Sequence, residues 1–133
     1  MALQAITMDD RSYERAKNGT DFVCAVIFPG SCIPSIEAIV RAVRRATPMT
    51  VVDVEDIGRH YAETLRRWNA NLDGRLEEVA DLGLDAGFQR LWDFYLSYCE
   101  GAFLERHISD VQIVLAMPDW QAPMAVRGAV PAG

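Results

Sequence analysis

The chain has 133 residues, of which 50% are hydrophobic and 24% charged, so it supports one packed globular domain and excludes general disorder. Nineteen acidic residues against thirteen basic ones give a formal charge of −6, which argues against nucleic acid as a partner. Cys24, Cys32 and Cys99 have no metal-ligand or C-x-x-C spacing, so neither a metal site nor a disulfide framework is expected. Without a signal peptide or a bilayer-spanning apolar run, the sequence predicts a cytoplasmic protein.

The first third of the chain predicts a strand followed by a short covering segment. Residues 3–8 form an apolar run, typical of a buried strand, and residues 11–19 are polar and rich in arginine. Thr20 and Asp21 can cap a short apolar helix that Pro29 terminates. We expect this helix to cover another part of the fold.

A helix and a second strand follow. The apolar positions of residues 35–46 recur at helical spacing, and the β-branched run at 49–54 is typical of a buried strand. The order strand, helix, strand suggests that the two strands pair in parallel.

Two amphipathic helices and a last strand complete the predicted domain. One long helix is predicted over residues 60–80, with Gly74 as its weak point, and Asp85 can cap a second helix that should pack against the first. Residues 111–117 alternate as a half-buried strand does. Residues 118–133 have no periodicity and predict a disordered tail.

The stretch around the start of the long helix carries the strongest candidates for a site. Tyr61 lies in the first turn, where it is either a site residue or, more often, a core aromatic. His60 beside it could carry protons but is commonly just exposed at such a position. Asp53 and Glu55 share one face of their strand and could act as paired carboxylates or hold a hard cation, although loop capping is the favoured interpretation.

Three segments together resemble one enzyme family. Residues 56–68 (DIGRHYAETLRRW), 27–30 (IFPG) and 94–99 (FYLSYC) resemble the C-terminal part of the cyclopropane-fatty-acyl-phospholipid synthases, which are S-adenosylmethionine-dependent methyltransferases. The resemblance implies an α/β fold over residues 1–117: the C-terminal half of a class I methyltransferase (Rossmann-like) fold, with about three strands, the last usually antiparallel, and a helical insertion. No glycine-rich strand-to-helix loop followed by an acidic residue occurs. We therefore expect this chain alone to bind no cofactor.

The resemblance also assigns candidate residues. In the family, a methyl group passes from S-adenosylmethionine to a cis double bond of a phospholipid acyl chain, and bicarbonate accepts the proton that the resulting carbocation loses. Tyr61 matches the tyrosine of the family's His-Tyr-Ala-x-Thr-Leu motif, which helps to hold that bicarbonate. Five residues match family positions that line the acyl-chain pocket, namely Phe28, Ile33, Leu65, Tyr95 and Cys99.

Two functions from different classes remain open on the sequence. The first is the C-terminal segment of such a methyltransferase, inactive alone, which acts on unsaturated phospholipid acyl chains once a complementary N-terminal segment is present. The second is a noncatalytic module that binds a lipid or a protein partner, with self-association as a further expectation because an unpaired sheet edge is predicted. Peripheral contact with the inner membrane face is expected if Arg41, Arg44 and Arg45 meet headgroups, whereas a solvated helix end explains them equally well.

Overall fold

The computed structural model describes residues 1–121, so most of the predicted tail, residues 122–133, lies outside the described part. The fold is α/β, as predicted, with three strands and a helical insertion before the last strand. In chain order the elements are β1 (Ala2–Met8), α1 (Asp10–Ala16), a π-helix (Val23–Ile27), α2 (Ile36–Ala46), β2 (Thr50–Asp56), α3 (Gly58–Asp73), α4 (Leu76–Asp81), α5 (Ala86–Leu104) and β3 (Ile108–Ala116).

The strand order is β1-β3-β2, and both outer strands are antiparallel to β3. Ile113 at the centre of β3 lies opposite Leu3 of β1 and Val54 of β2. The predicted parallel pairing of the first two strands is therefore wrong: they run in the same direction, but β3 lies between them. The reason is that β3 carries more large aliphatic side chains than either neighbour, and the central position removes most of them from water.

The two faces of the sheet are covered by different helices. On one face, Val111, Ile113 and Leu115 of β3 are buried against Ile39 and Val43 of α2. Because side chains alternate along a strand, Ile108 and Asp110 point to the opposite face, where Ile108 joins the core formed with α3 and α5. The helical insertion and α2 therefore lie on opposite sides of the sheet.

The second strand is less buried than the sequence predicts. Every residue of β2 is exposed, so the predicted buried strand is an exposed edge strand with a register shift between Val51 and Asp53. β-Branched residues favour an extended backbone whether or not their side chains are covered, which is why composition alone overstates burial here. In β1, Thr7 is buried and the other residues are partly or fully exposed.

Two helices differ from their predicted form. The single predicted helix over 60–80 is two helices, because α3 ends at Asp73 and Gly74 and Arg75 separate it from α4. A helix that the sequence analysis did not predict, α1, follows β1. Asp9 caps it by accepting hydrogen bonds from the backbone N–H groups of Arg11 and Ser12, each at 3.0 Å.

The predicted packing of the two amphipathic helices is confirmed. The Asn69 amide of α3 donates hydrogen bonds to a carboxylate oxygen of Asp93, at 2.8 Å, and to the hydroxyl of Ser97, at 3.1 Å, both on α5. Among the helices between residues 1 and 121, none combines the length and the apolar composition that crossing a bilayer requires. The side chains buried in the core between these helices and the sheet are Ala62, Leu65, Leu96, Phe103 and Ile108.

Candidate functional site

An apolar cavity of about 210 Å³ lies between the helical insertion, the ends of β1 and β3, and the segment 21–33 that contains the π-helix. We call this segment the cover segment. Helix α3 supplies Tyr61, Leu65 and Trp68 to the wall, and the sheet supplies Ile6 and Met8. Further lining residues come from α5, from the turn before β3 and from the first residue of β3, namely Tyr95, Tyr98, Cys99, Ala102, Phe103, His107 and Ile108.

All six residues predicted for the site line this one cavity. Tyr61 and Leu65 lie one helical turn apart on α3, and Tyr95 and Cys99 lie one turn apart on α5. The two predicted residues outside these helices, Phe28 and Ile33, belong to the cover segment. The structure therefore brings together residues that lie up to 71 positions apart along the chain.

Tyr61 is held by aromatic packing at the base of the cavity. Its ring centroid lies 5.0 Å from that of Phe103 and 6.2 Å from that of Trp68, and the side chain is half-buried. Burial raises the pKa of the Tyr61 phenol, and the nearby carboxyl of Asp110 raises it further. The hydroxyl is therefore a neutral hydrogen-bond donor at physiological pH.

Tyr95 and Cys99 form an uncharged part of the cavity wall on α5. Burial raises the pKa of the Tyr95 phenol to about 12, with the Cys99 thiol as the next cause. Burial also raises the pKa of that thiol, and the Tyr95 hydroxyl opposes the rise. Neither side chain is charged near neutral pH, which suits a wall that contacts hydrocarbon.

The cover segment is held over the cavity by a cap and an aromatic cluster. The Asp21 carboxylate accepts a hydrogen bond from the backbone N–H of Cys24 at 2.8 Å. The Phe22 ring packs edge-on against Phe94 and Tyr98 of α5, with centroids 5.0 and 5.9 Å apart. The expectation that this segment covers another part of the fold is confirmed. Its turn at Gly30 has a φ of 80°, which a glycine adopts without strain.

Sequence reasoning missed several residues that line the cavity. Cys24, Cys32 and Asp21 lie on the cover segment, whose π-helix has no periodic apolar pattern to reveal an inward face. Trp68 follows Tyr61 and Leu65 at helical spacing on α3, and that spacing is the signal that could have placed it in the same wall. His107, also in the lining, follows α5 in a turn that has no sequence signature.

The other candidates lie elsewhere. His60 is exposed and outside the cavity lining, and Asp53 and Glu55 lie on the exposed edge strand. In the part of the chain from 1 to 121, no group of three or more His, Cys, Asp or Glu side chains could hold a metal ion. Arg44 and Arg45 lie at the end of α2, on the sheet face opposite the cavity.

The buried carboxyl of Asp110 lies on the same face of the sheet as the cavity. Asp110 is 1% exposed, and one of its oxygens accepts a hydrogen bond from the Gln4 amide at 2.7 Å. Its other oxygen has no hydrogen-bond partner within residues 1–121. Burial raises the pKa of this carboxyl, and the hydrogen bond from Gln4 opposes the rise. Asp110 thus ties β1 to β3 and contributes to the electrostatics around Tyr61.

The sheet and the cavity define a class of protein: a methyltransferase-type α/β fold with an apolar cavity beside the sheet. The model of the family described as mycolic acid cyclopropane synthetase matches residues 1–113. The chain belongs to this family of S-adenosylmethionine-dependent cyclopropane and mycolic acid synthases.

Relatives of known sequence agree with this membership. The chain is 35% identical over 115 residues to the tuberculostearic acid methyltransferase UfaA1 of Mycobacterium tuberculosis, a match that covers 86% of this chain and 27% of the relative. It is 33% identical over 91 residues to the cyclopropane-fatty-acyl-phospholipid synthase of Escherichia coli K12, covering 68% of this chain and 23% of the relative. The chain thus spans about a quarter of the length of these two relatives.

Solved structures agree as well. The mycolic acid cyclopropane synthase CmaA1, complexed with SAH and CTAB, superposes with a TM-score of 0.72 at 27% identity. The match covers 86% of this chain and 43% of CmaA1. The cyclopropane synthase MmaA2 from Mycobacterium tuberculosis, at 23% identity and the same TM-score, supports the fold alone.

Proposed function

We propose that this chain supplies the acyl-chain cavity and Tyr61 of a methyltransferase that acts on unsaturated acyl chains of phospholipids, and that it is inactive alone. One observation carries the proposal: the six residues matched to the family's site all line a single apolar cavity. Each CH₂ group moved from water into such a cavity contributes about 0.8 kcal/mol. Several methylene groups therefore supply enough free energy to hold a lipid chain there.

Tyr61 is proposed to donate a hydrogen bond to a bicarbonate anion. Burial keeps the phenol neutral, so it can donate to an anion without adding charge to an apolar wall. Tyr61 and Phe103 both line the cavity, and their aromatic rings are proposed to stabilise a cation on the acyl chain. The apolar lining also excludes water, which would otherwise capture such a cation.

The described residues do not fit S-adenosylmethionine itself. Both strand-to-helix turns, where a nucleotide-like cofactor is usually held, are occupied by local hydrogen bonds. Asp9 caps α1 after β1, and the Asp56 carboxylate after β2 accepts from the backbone N–H of Gly58 at 2.9 Å and from the Ser109 hydroxyl. Turnover is proposed to need a cofactor-binding segment that joins the sheet along the outer edge of β1.

Access to phospholipid is proposed to occur by peripheral contact with the inner membrane face. Val26 and Phe28 on the cover segment are each 51% exposed, and Phe28 also lines the cavity, so these side chains are proposed to insert among headgroups. The arginines at the end of α2 face the other way. The cover segment is therefore the better candidate for membrane contact.

A noncatalytic lipid-binding module is the second candidate function. The observation in its favour is that the cavity lining comes entirely from residues 6–108 of this chain, so binding needs no added strand. Both functions predict lipid binding, and they differ in whether added cofactor-binding machinery produces turnover.

The test supplies the chain with a cofactor-binding segment from a relative. The chain is co-expressed with the part of the Escherichia coli relative that precedes the matched segment, in a host without its own synthase, and membrane fatty acids are analysed by gas chromatography and mass spectrometry. The first function predicts methylated or cyclopropanated acyl chains, at least tenfold less with Tyr61→Phe, and unchanged with the control Tyr13→Phe, whose phenol lies outside the cavity. Lipid binding without product would favour the module. Micromolar binding of S-adenosylmethionine by the chain alone, measured by calorimetry, would show that residues of this chain do hold the cofactor.

A further inference from the structure

A second apolar depression, of about 470 Å³, adjoins the cavity on the outer side of the helical insertion. We call it the groove. Its walls come from α3, α4 and α5, and three residues line both the groove and the cavity: Phe28, Trp68 and Tyr95. The residues that line the groove alone are Asn71, Leu72, Arg75, Val79, Trp92 and Leu96.

The partition between cavity and groove consists of side chains. Phe28 is 51% exposed and Trp68 is 49% exposed, so each has space to rotate toward solvent. Phe28 meets Tyr95 edge to face, with ring centroids 6.0 Å apart. Because these three residues are the ones that both linings share, rotation of their side chains is the route by which the two spaces would join.

The charge of the groove lining indicates which chemical group of a ligand would bind there. Arg75 is the one charged residue in the groove lining, and within residues 1–121 it forms no salt bridge. The acidic residues of α4, Glu77, Glu78 and Asp81, are absent from the lining. An apolar path that ends at an arginine is complementary to a chain with an anionic head.

We propose that the groove binds the phosphate-bearing end of the lipid whose acyl chain fills the cavity, with Arg75 against the anionic headgroup and Phe28, Trp68 and Tyr95 as the gate. The inference rests on the proposed function, because it requires the cavity to hold an acyl chain. To that function the groove adds the orientation in which the lipid binds, the route by which it enters, and a residue that selects anionic over neutral lipids.

The chain's tryptophans allow the test. Trp68 lies at the gate, Trp92 in the groove alone and Trp120 in neither space. Two single-tryptophan proteins, Trp92→Phe/Trp120→Phe and Trp68→Phe/Trp120→Phe, are titrated with stearic acids that carry a nitroxide at carbon 5 or carbon 16, whose carboxylate stands in for the phosphate. We expect the carbon-5 probe to quench Trp92 at least twice as strongly as the carbon-16 probe, and both probes to quench Trp68.

A charge comparison completes the test. Arg75→Gln should weaken binding of the labelled acid about threefold, consistent with roughly 0.7 kcal/mol for an exposed ion pair, and leave its neutral methyl ester unchanged. The control Arg45→Gln, on the opposite sheet face, should alter neither. Three results would contradict headgroup binding in the groove without contradicting acyl-chain binding in the cavity. They are quenching of Trp68 without Trp92, stronger quenching of Trp92 by the carbon-16 probe, and no effect of Arg75→Gln. Failure of both probes to quench either tryptophan would overturn the cavity, and with it the proposed function.

Discussion

Gly58 fixes the distance between α3 and β3, and its replacement tests how tightly Tyr61 is positioned. Gly58 is buried at the first position of α3, three residues before Tyr61. A Cβ at this position would overlap the Ser109 hydroxyl and lie 3.1 Å from the Ser109 Cα and 3.2 Å from the Asp110 backbone nitrogen. The two backbone atoms belong to the central strand and cannot yield without moving the sheet.

The expected cost of Gly58→Ala follows from these contacts. Overpacking of a close-packed site costs about 1 to 3 kcal/mol, and rotating Ser109 away would also break its hydrogen bond to Asp56. Gly101→Ala is the matched control, because it lies inside α5 and a Cβ there has no neighbour within 4 Å. Alanine is the better helix former, so the control should gain about 0.5 to 1 kcal/mol.

Urea denaturation followed by circular dichroism measures both free energies of unfolding. The variant Gly58→Ala/Ser109→Ala should recover part of the loss, because it removes the overlapping hydroxyl and keeps the backbone contacts. Nitroxide-stearate quenching of Trp68 should also weaken in Gly58→Ala, since a shift of α3 moves the cavity wall. Equal stability of Gly58→Ala and the unmodified chain would refute the reasoning, as would equal effects at Gly58 and Gly101.

Three further predictions follow from other contacts. Hydrogen bonds, chiefly from Ser109, lower the pKa of Asp56 below its ordinary 3.8, so the carboxylate stabilises the fold above that pH and loses its contribution as the pH falls through the folded-state pKa. Asp56→Asn should therefore cost up to about 1 kcal/mol at neutral pH and nothing in strong acid, measured by urea denaturation at both pH values; a constant difference would contradict this. Asn69→Ala removes two hydrogen bonds between α3 and α5 and should cost about 1 to 2 kcal/mol. The control Asn71→Ala, whose side chain forms no hydrogen bond within residues 1–121, should instead gain up to about 0.5 kcal/mol, because alanine is the better helix former. Iodoacetamide should modify exposed Cys32 first and Cys99, whose pKa is raised by burial, last; mass spectrometry gives the order, and early labelling of Cys99 would show that the cavity is open to water.

The helical parts of the site could be predicted because helical spacing is local. Tyr61 and Leu65, like Tyr95 and Cys99, are four residues apart, and that spacing determines a shared face before any tertiary contact is known. The family resemblance then indicated which of these helix faces would line the predicted acyl-chain pocket. The break after Asp73 was indicated only as a weak point, because the cost of one glycine does not decide whether a helix continues.

The sheet order could not be predicted in the same way. Pairing of β3 with both β1 and β2 depends on contacts between residues more than 50 positions apart, and no pattern within a strand encodes its neighbours. The exposure of β2 follows from its edge position, which is equally non-local. The inward face of the cover segment was missed because it depends on a π-helix and on Phe22 packing against α5.

The proposed function predicts that lipid binding and turnover are separable, because the cavity and the proposed cofactor-binding segment lie at different places around the sheet. The cavity is enclosed by the helical insertion, the cover segment and the ends of β1 and β3, so the proposed binding of a lipid chain would depend on residues that this chain contains. At the two strand-to-helix turns, Asp9 and Asp56 form local hydrogen bonds, which supports the proposal that the cofactor is held by a separate segment. A substitution at Leu65 should therefore weaken lipid binding with or without added cofactor-binding machinery. Tyr61→Phe keeps the ring and removes only the hydroxyl, so it should leave lipid binding by the chain alone unchanged and reduce turnover only in the complemented enzyme; loss of lipid binding in Tyr61→Phe would instead assign the phenol to the lipid itself.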